Sequence, residues 1–321
     1  MSVAGTRVAW LALAVVLYGL VPWIFSGNLY LMSMIVASLT IGGIALAWAL
    51  LGNMGGLVSF GHAAFFGVGA YASALLVMKS GWPIVLAVPA GGVIAALSAV
   101  LVLPALRLRG PYFALAVLAY AHIFRIIATE WKGLTNGAGG LSSIPRFPVV
   151  FGYDFATKTG GYWIVLTLVL VFALIYWRVR ASHYGLALRA MHDSEEATRA
   201  VGVNSTLLKA LMLFLSAFMT GVMGAFNAHY INFLEPDYAF SGLWTMLPIV
   251  AAIFGGYRTI LGPIVGAVVV YLVDQLVFKE VMPIGHQIVL GALLGGMILL
   301  SPGGLLPLLR PRRHAVAVHN A

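Results

Sequence analysis

Apolar residues run through this chain in long blocks, and the polar residues fall mostly between them. Ten blocks come near the roughly 20 residues that an α-helix needs to cross a bilayer. They are 8–25, 29–51, 56–78, 83–105, 111–129, 161–177, 207–231, 242–256, 260–278 and 284–300. The third is rich in glycine and the eighth is short, so both are expected to bend or to cross only partly. The pattern predicts an all-α, polytopic membrane bundle of about ten segments. It forms one transmembrane domain over 1–306, followed by a short basic tail over 307–321. The first block follows a single basic residue, Arg7, and has no small-residue cleavage site, so it is expected to stay as a first helix.

Composition agrees. The chain is 62% hydrophobic and 8% charged, against roughly 25% charged in soluble domains. A large soluble core is excluded. There are no cysteines, hence no disulfides, thiolate metal sites or thiol nucleophiles.

The formal charge is +9, and its placement sets orientation. With the N-terminus in the cytoplasm, twelve basic residues fall inside: Arg7, Arg107, Arg109, Arg178, Arg180, Arg189, Arg199, Lys209, Arg258, Arg310, Arg312 and Arg313. Five fall outside: Lys79, Lys132, Arg146, Lys158 and Lys279. Arg125 lies within a block. The bias places both termini in the cytoplasm.

Two loops stand out. Glu130–Gly160 is the longest outside loop, rich in glycine and containing Pro145 and Pro148. Loops of this length are uncommon unless functional; this one is either a passive linker or a dock for an extracytoplasmic partner. The inside loop, about 178–206, contains Gly185–Gly202, GLALRAMHDSEEATRAVG. Acidic residues number nine in 321, with none before Glu130, yet Asp193, Glu195 and Glu196 all sit here, between Arg189 and Arg199. Asp193 is expected to cap a helix and Glu196 to reach back to it. Glu195 and Glu196 stand four and three residues before Arg199, the spacings that pair on a helix. Gly202 supplies a left-handed stop. A helix of about eight residues, on the order of 12 Å long, results. Short, charged and capped between membrane blocks, it reads as a surface for a soluble partner.

Gly52–Leu76 carries glycines at 52, 55, 56, 61, 67 and 69. Interrupted membrane segments point to transport paths, and the candidate path residues are Ser59, Gly61, His62, Gly67, Gly69 and Tyr71. Gly67-x-Gly69-x-x-Ala72 mimics a dinucleotide fingerprint, but it lies in an apolar block with no acidic ribose partner after it. No Walker A sequence occurs. The eight histidines make no metal-ligand spacing. His62 is either a packed, hydrogen-bonded residue or a ligand. His122, Arg125 and Thr129 share one helix face, and Arg125 either snorkels or lines an aqueous path; Asp274 carries the same ambiguity. Small residues recur at spacing four (Ser216, Thr220, Gly224, Ala228; Gly262, Gly266; Gly291, Gly295), as close helix packing or a smooth pore wall requires. No nucleophile–base pair emerges, so no catalysis, cofactor, metal or nucleic-acid partner is expected.

Four stretches together resemble a known family: GGLVSFGHAAFFGVGAY (55–71), GLTNGAGGLSSIP (133–145), GLALRAMHDSEEATRAVGV (185–203) and GLWTMLPIVAAIFGGYRTILGPIVGA (242–267), with SPGGL (301–305) as a closing turn. The chain resembles, from about residue 30 to 306, the permeases of branched-chain amino acid ABC importers, of the M type found in high-affinity leucine/isoleucine/valine systems. The resemblance implies an ABC-importer permease fold in the bacterial inner membrane. It implies a homologous second permease, two cytoplasmic ATPases and a periplasmic solute-binding protein as partners. By the same likeness Gly185, Arg189, Asp193, Glu195, Glu196, Ala197 and Gly202 are ATPase-coupling residues. Leu57 stands where many members carry a polar Gln, which leaves the solute open, urea and short amides included. The rival reading is a stand-alone secondary transporter or channel, which needs ionisable residues near the bilayer midplane.

Overall fold

The computed structural model describes residues 16–108, 110–150, 152–281, 285–300 and 304. The start of the first expected segment, the 307–321 tail and most of the SPGGL turn lie outside them. A π-helical turn, Val16–Leu20, leads into α1 (Val21–Phe25). Helix α2 (Leu29–Gly55) follows, 27 residues long, or about 40 Å at 1.5 Å per residue. The Asn28 side chain accepts the N–H groups of Tyr30 and Leu31 at 3.1 Å each, and Gly56 ends the helix at φ +66°. Apolar all round, α2 is the buried centre of the bundle.

The expected third segment began at 56. Helix α3 instead spans His62–Ser80, and residues 56–61 form a non-helical link. Glycines on both sides weaken the helix there, and other groups satisfy the freed backbone. Trp48 Nε1 donates to the Ser59 carbonyl at 3.0 Å, and the Gly61 N–H donates to Ser59 Oγ at 3.3 Å. Helix α4 (Ile84–Ser98) tightens into a 3₁₀ run, Ala99–Arg107. Helix α5 (Pro111–Glu130) opens with proline at its first position, where no N–H is missed.

The long loop is organised. It contains α6 (Lys132–Thr135), β1 (Leu141–Ser142), β2 (Val149–Val150) and β3 (Tyr153–Asp154). Strand β1 pairs antiparallel with β4 (Phe233–Leu234), Leu141 opposite Leu234, and β2 pairs with β3. Asn232 Nδ2 donates to the Ile144 carbonyl at 3.0 Å, and Arg146 Nε donates to Asn232 Oδ1 at 2.6 Å. The loop is thereby tied over the end of α10 (Ser205–Ile231).

Helix α7 (Lys158–Ala181) returns along the bundle to α8 (His183–Asp193) and α9 (Glu195–Ala200), which precede α10. After β4 come α11 (Pro236–Ala239), α12 (Leu243–Gly255), α13 (Gly262–Val273), a π-helical turn at Asp274–Phe278, α14 (Lys279–Val281) and α15 (His286–Leu300). Helix α10 packs against α2, α3 and α4, and α12 and α13 form a hairpin against α2. Helices α5 and α7 stay apolar on their exposed faces: Leu115, Ile123 and Ile126 on one, Val171 and Leu174 on the other. Such faces suit lipid.

Among the described residues, seven helical stretches are long and apolar enough to cross a membrane. The protein is a polytopic helical membrane protein. The three other expected segments are helical but shorter: Val16–Phe25 as far as it is described, Gly262–Val273 before its π turn, and the 15 residues His286–Leu300.

Candidate functional site: the charged loop and the glycine-rich helix

The loop expected to hold one helix of eight residues holds two, of 11 and 6 residues. Asp193 is not the cap; it is the last residue of α8. Ser194 stands between the helices in an extended conformation (φ −156°), and its Oγ accepts the Ala197 N–H at 3.3 Å. With Ala197 three residues after the cap, the expected capping box has no carboxylate where one is needed. Upstream, Ser182 Oγ accepts the Gly185 N–H at 3.2 Å. A Cβ on Gly185 would strike the carbonyls of Val179 and Arg180, so glycine lets α8 fold back tightly on α7. Arg189 Nε donates to the Gly185 carbonyl at 3.2 Å.

Glu195 is the electrostatic centre. Its carboxylate accepts Arg199 at 2.7 Å, the expected i, i+4 pair, and Lys209 of α10 at 2.8 Å. The hydrogen bond from Lys209 holds the Glu195 carboxyl below the ordinary carboxylate range, and Arg199 adds to the effect. Arg199 Nε also donates to Ser205 Oγ at 2.6 Å. These bonds fasten α9 to the first two turns of α10. An exposed i, i+4 pair alone is worth only about 0.3–0.5 kcal/mol; the shared carboxylate makes a small network of it. The expected pairing of Glu196 with Arg199 does not form.

Arg189, Asp193, Glu196, Ala197 and Gly202 are exposed, and Gly202 has the left-handed φ of +88°. Gly185 is buried and Glu195 half-buried. Beside them Tyr184, Leu186 and Val201 are exposed, Val201 at 79%. A polar groove of about 450 Å³ runs between Gly56, Leu57, Leu108 and Gly110 on one side and Glu195, Glu196, Arg199 and Lys209 on the other. Sequence reasoning missed Lys209, because 14 residues separate it from Glu195. It also missed the exposed apolar residues, which look like any others in so apolar a chain.

The residues of the glycine-rich segment are buried in helix contacts. His62 Nε2 lies 2.9 Å from Ser216 Oγ, Ser216 donates to the Ala47 carbonyl at 2.9 Å, and Thr245 Oγ1 accepts the Ala63 N–H at 3.0 Å. These bonds join α2, α3, α10 and α12. Gly61 meets Val117 of α5, Gly67 meets the Phe240 ring, and Gly69 meets the backbone of Gly221. Tyr71 stacks on Phe240 with centroids 6.1 Å apart. The small stripe on α10 faces the same seam, Gly224 against the Phe66 carbonyl. Gly262 and Gly266 meet the α12 backbone, whereas Gly291 and Gly295 meet nothing within 4 Å among the described residues. Arg125 pairs with Asp237 at 2.8 Å, both exposed.

Sequence relationships agree with this architecture. The family model described as branched-chain amino acid transport system / permease component matches residues 30–300. The high-affinity branched-chain amino acid transport system permease protein LivM of Escherichia coli is 28% identical over 286 residues, which cover 81% of this chain and 66% of that protein. The chain thus spans just under two thirds of that relative's length. The permease protein LivH of the same system in Escherichia coli is 23% identical over 303 residues, 87% of this chain and 96% of its own. A probable branched-chain amino acid transport permease protein LivM of Methanocaldococcus jannaschii is 25% identical over 227 residues, 65% of this chain and 64% of its own. No solved structure matches. With most of its length matched to one family model and its membrane helices accounted for, the chain belongs to the family of branched-chain amino acid transport system permease components.

Proposed function

We propose that this chain is one of two homologous permease subunits of an ATP-driven importer of branched-chain amino acids in a bacterial inner membrane. Two cytoplasmic ATPases bind below the permease pair, one of them on the α8–α9 face of this chain, and a periplasmic binding protein delivers solute to the opposite end, over the 131–157 loop. Both termini then lie in the cytoplasm. The observation that carries the reading is the α8–α9 pair itself: exposed acidic, basic and apolar residues on a base fastened to α10 through Glu195. A push on α9 passes into α10, which packs against α2, α3 and α4. Gly185, Arg189, Asp193, Glu195, Glu196, Ala197 and Gly202 are its coupling residues. In this reading the path opens along α3 and the link before it, where they face α10, α5 and the Phe240 ring, which puts Ser59, Gly61, His62, Gly67, Gly69 and Tyr71 on its wall. The chain itself carries no P-loop with which to hydrolyse ATP.

Reconstitution tests the reading. In liposomes the single subunit is expected to take up no leucine and hydrolyse no ATP. Adding the second permease, the ATPases and the binding protein restores ATP-driven uptake, and exchanging the binding protein changes the preferred solute. Glu196→Lys reverses an exposed charge at small cost to the fold, within about 0.5 kcal/mol, and is expected to abolish ATP-driven uptake in an assembled complex. A second reading, a gradient-driven transporter, draws support from Asp274, a buried acid in a membrane segment. Uptake of leucine by the purified single subunit along an ion gradient establishes it instead.

A further inference from the structure

Four buried side-chain atoms have no hydrogen-bond partner among the described residues: His62 Nδ1, Tyr71 Oη, Tyr230 Oη and Asp274 Oδ1. The last two line one cavity of about 500 Å³, enclosed by α2, α10, α11, α12 and α13 at the end where the 131–157 loop sits. That volume is typical of small-molecule sites. Asp274 is 3% exposed and begins the π-helical turn after α13; such turns interrupt helices frequently at functional sites. Gln275 satisfies only its other oxygen, donating to Oδ2 at 3.0 Å. Lys158 and Lys279 stand exposed at the rim. The Lys158 ammonium lies 4.5 Å from the Tyr230 ring centre. Ile41 and Leu247 supply apolar wall.

We propose that this cavity is a solute site within the permease, and that it takes a free α-amino acid with an apolar side chain. The cavity offers what such a zwitterion needs. Asp274 Oδ1 and Tyr230 Oη receive the ammonium group, the two rim lysines draw the carboxylate, and the apolar wall covers the side chain. A buried acceptor without a partner is costly; a bound ammonium removes that cost, and solutes lacking one leave it in place. Discrimination follows from that difference. Solute handed over at this end meets the site before the α3–α10 seam.

The inference rests on the importer reading, and one experiment separates the two. The complex of both permeases and the ATPases, without binding protein, is titrated with radiolabelled leucine, and the same preparation with binding protein is assayed for uptake. Leucine is expected to bind, leucinamide to compete, and 4-methylpentanoate, which lacks the ammonium, to compete at least tenfold less well. Asp274→Asn and Tyr230→Phe weaken leucine binding by tenfold or more. Asp237→Asn, an exposed acid outside the cavity, leaves it unchanged. If Asp274→Asn fails to assemble, Tyr230→Phe, which removes one oxygen, carries the test alone. A complex that imports leucine yet binds it equally with either cavity variant overturns the site and leaves the importer reading standing. Binding that follows sodium rather than leucine also overturns it. A complete complex that imports no branched-chain amino acid overturns the importer reading itself.

Discussion

Replacing Gly69 with alanine tests how the bundle is held together. Gly69 of α3 faces Gly221 of α10 across the most extensive helix contact among the described residues. An added Cβ would fall about 2.6 Å from the Gly221 carbonyl carbon and closer still to its Cα and oxygen. Carbon atoms in good contact sit at about 3.5–4.0 Å, so the two backbones must part by roughly 1 Å. No flexible side chain is available to move instead. A gap of about 0.5–1 Å forfeits a quarter to a half of each dispersion contact it opens, and overpacking typically costs about 1–3 kcal/mol. With backbone against backbone the upper end applies. Alanine regains about 1 kcal/mol over glycine within a helix, for a net loss of about 2 kcal/mol. Gly52 of α2 is the matched control. Its nearest foreign atoms, the Leu57 carbonyl oxygen and Trp48 Cζ3, lie at 3.9 and 4.0 Å, so Gly52→Ala gains about 0.5–1 kcal/mol. The assay is reversible SDS-induced unfolding in mixed micelles, followed by tryptophan fluorescence. The two variants are expected to move the midpoint in opposite directions, about 3 kcal/mol apart. Equal stability of Gly69→Ala and Gly52→Ala refutes the claim that close backbone approach sustains the seam.

Two further outcomes follow from the charged loop. Between Ser142 and Ala197 lies one described stretch long and apolar enough to cross a membrane, α7, and both residues are exposed. In this cysteine-free background Ala197→Cys is expected to react with an impermeant maleimide only from the cytoplasmic side and Ser142→Cys only from the outside; labelling of both from one side breaks the topology. The Glu195 carboxyl is held below the ordinary carboxylate range by Lys209 and Arg199. Its pairs therefore stabilise α9 fully above that range and are lost as the pH falls through the lowered value. The anisotropy of a dye on Ala197→Cys is expected to stay level from about pH 7 to about pH 5 and to drop below about pH 4. Adding Glu195→Gln is expected to give the low value throughout, and an unchanged profile in that variant removes Glu195 as the fastener.

The hydrophobic blocks alone determined that this is a membrane bundle and where most of its helices run. Desolvated backbone must satisfy itself, and in lipid a long apolar run has little choice but helix. Local spacing also set the Glu195–Arg199 pair and the left-handed Gly202, since both depend on residues within one or two turns. Capping needed more. Asp193 and Ser194 are both good caps on paper, and the choice between them followed from where α8 stopped, which its packing against α7 and α2 decides. The start of α3 at His62 likewise depended on Trp48 and Ser59 to satisfy the link before it. The contacts with the largest reach were invisible in one dimension. Lys209 reaches Glu195 over 14 positions, His62 meets Ser216 over 154, and the 131–157 loop is stitched to β4 about 90 residues on. The cavity around Asp274 gathers side chains from residue 33 to residue 279. Membrane helices meet by shape and small-residue fit rather than by a hydrophobic stripe facing water. Hydropathy therefore placed the helices in lipid, while their neighbours, and the sites between them, came only from the packed structure.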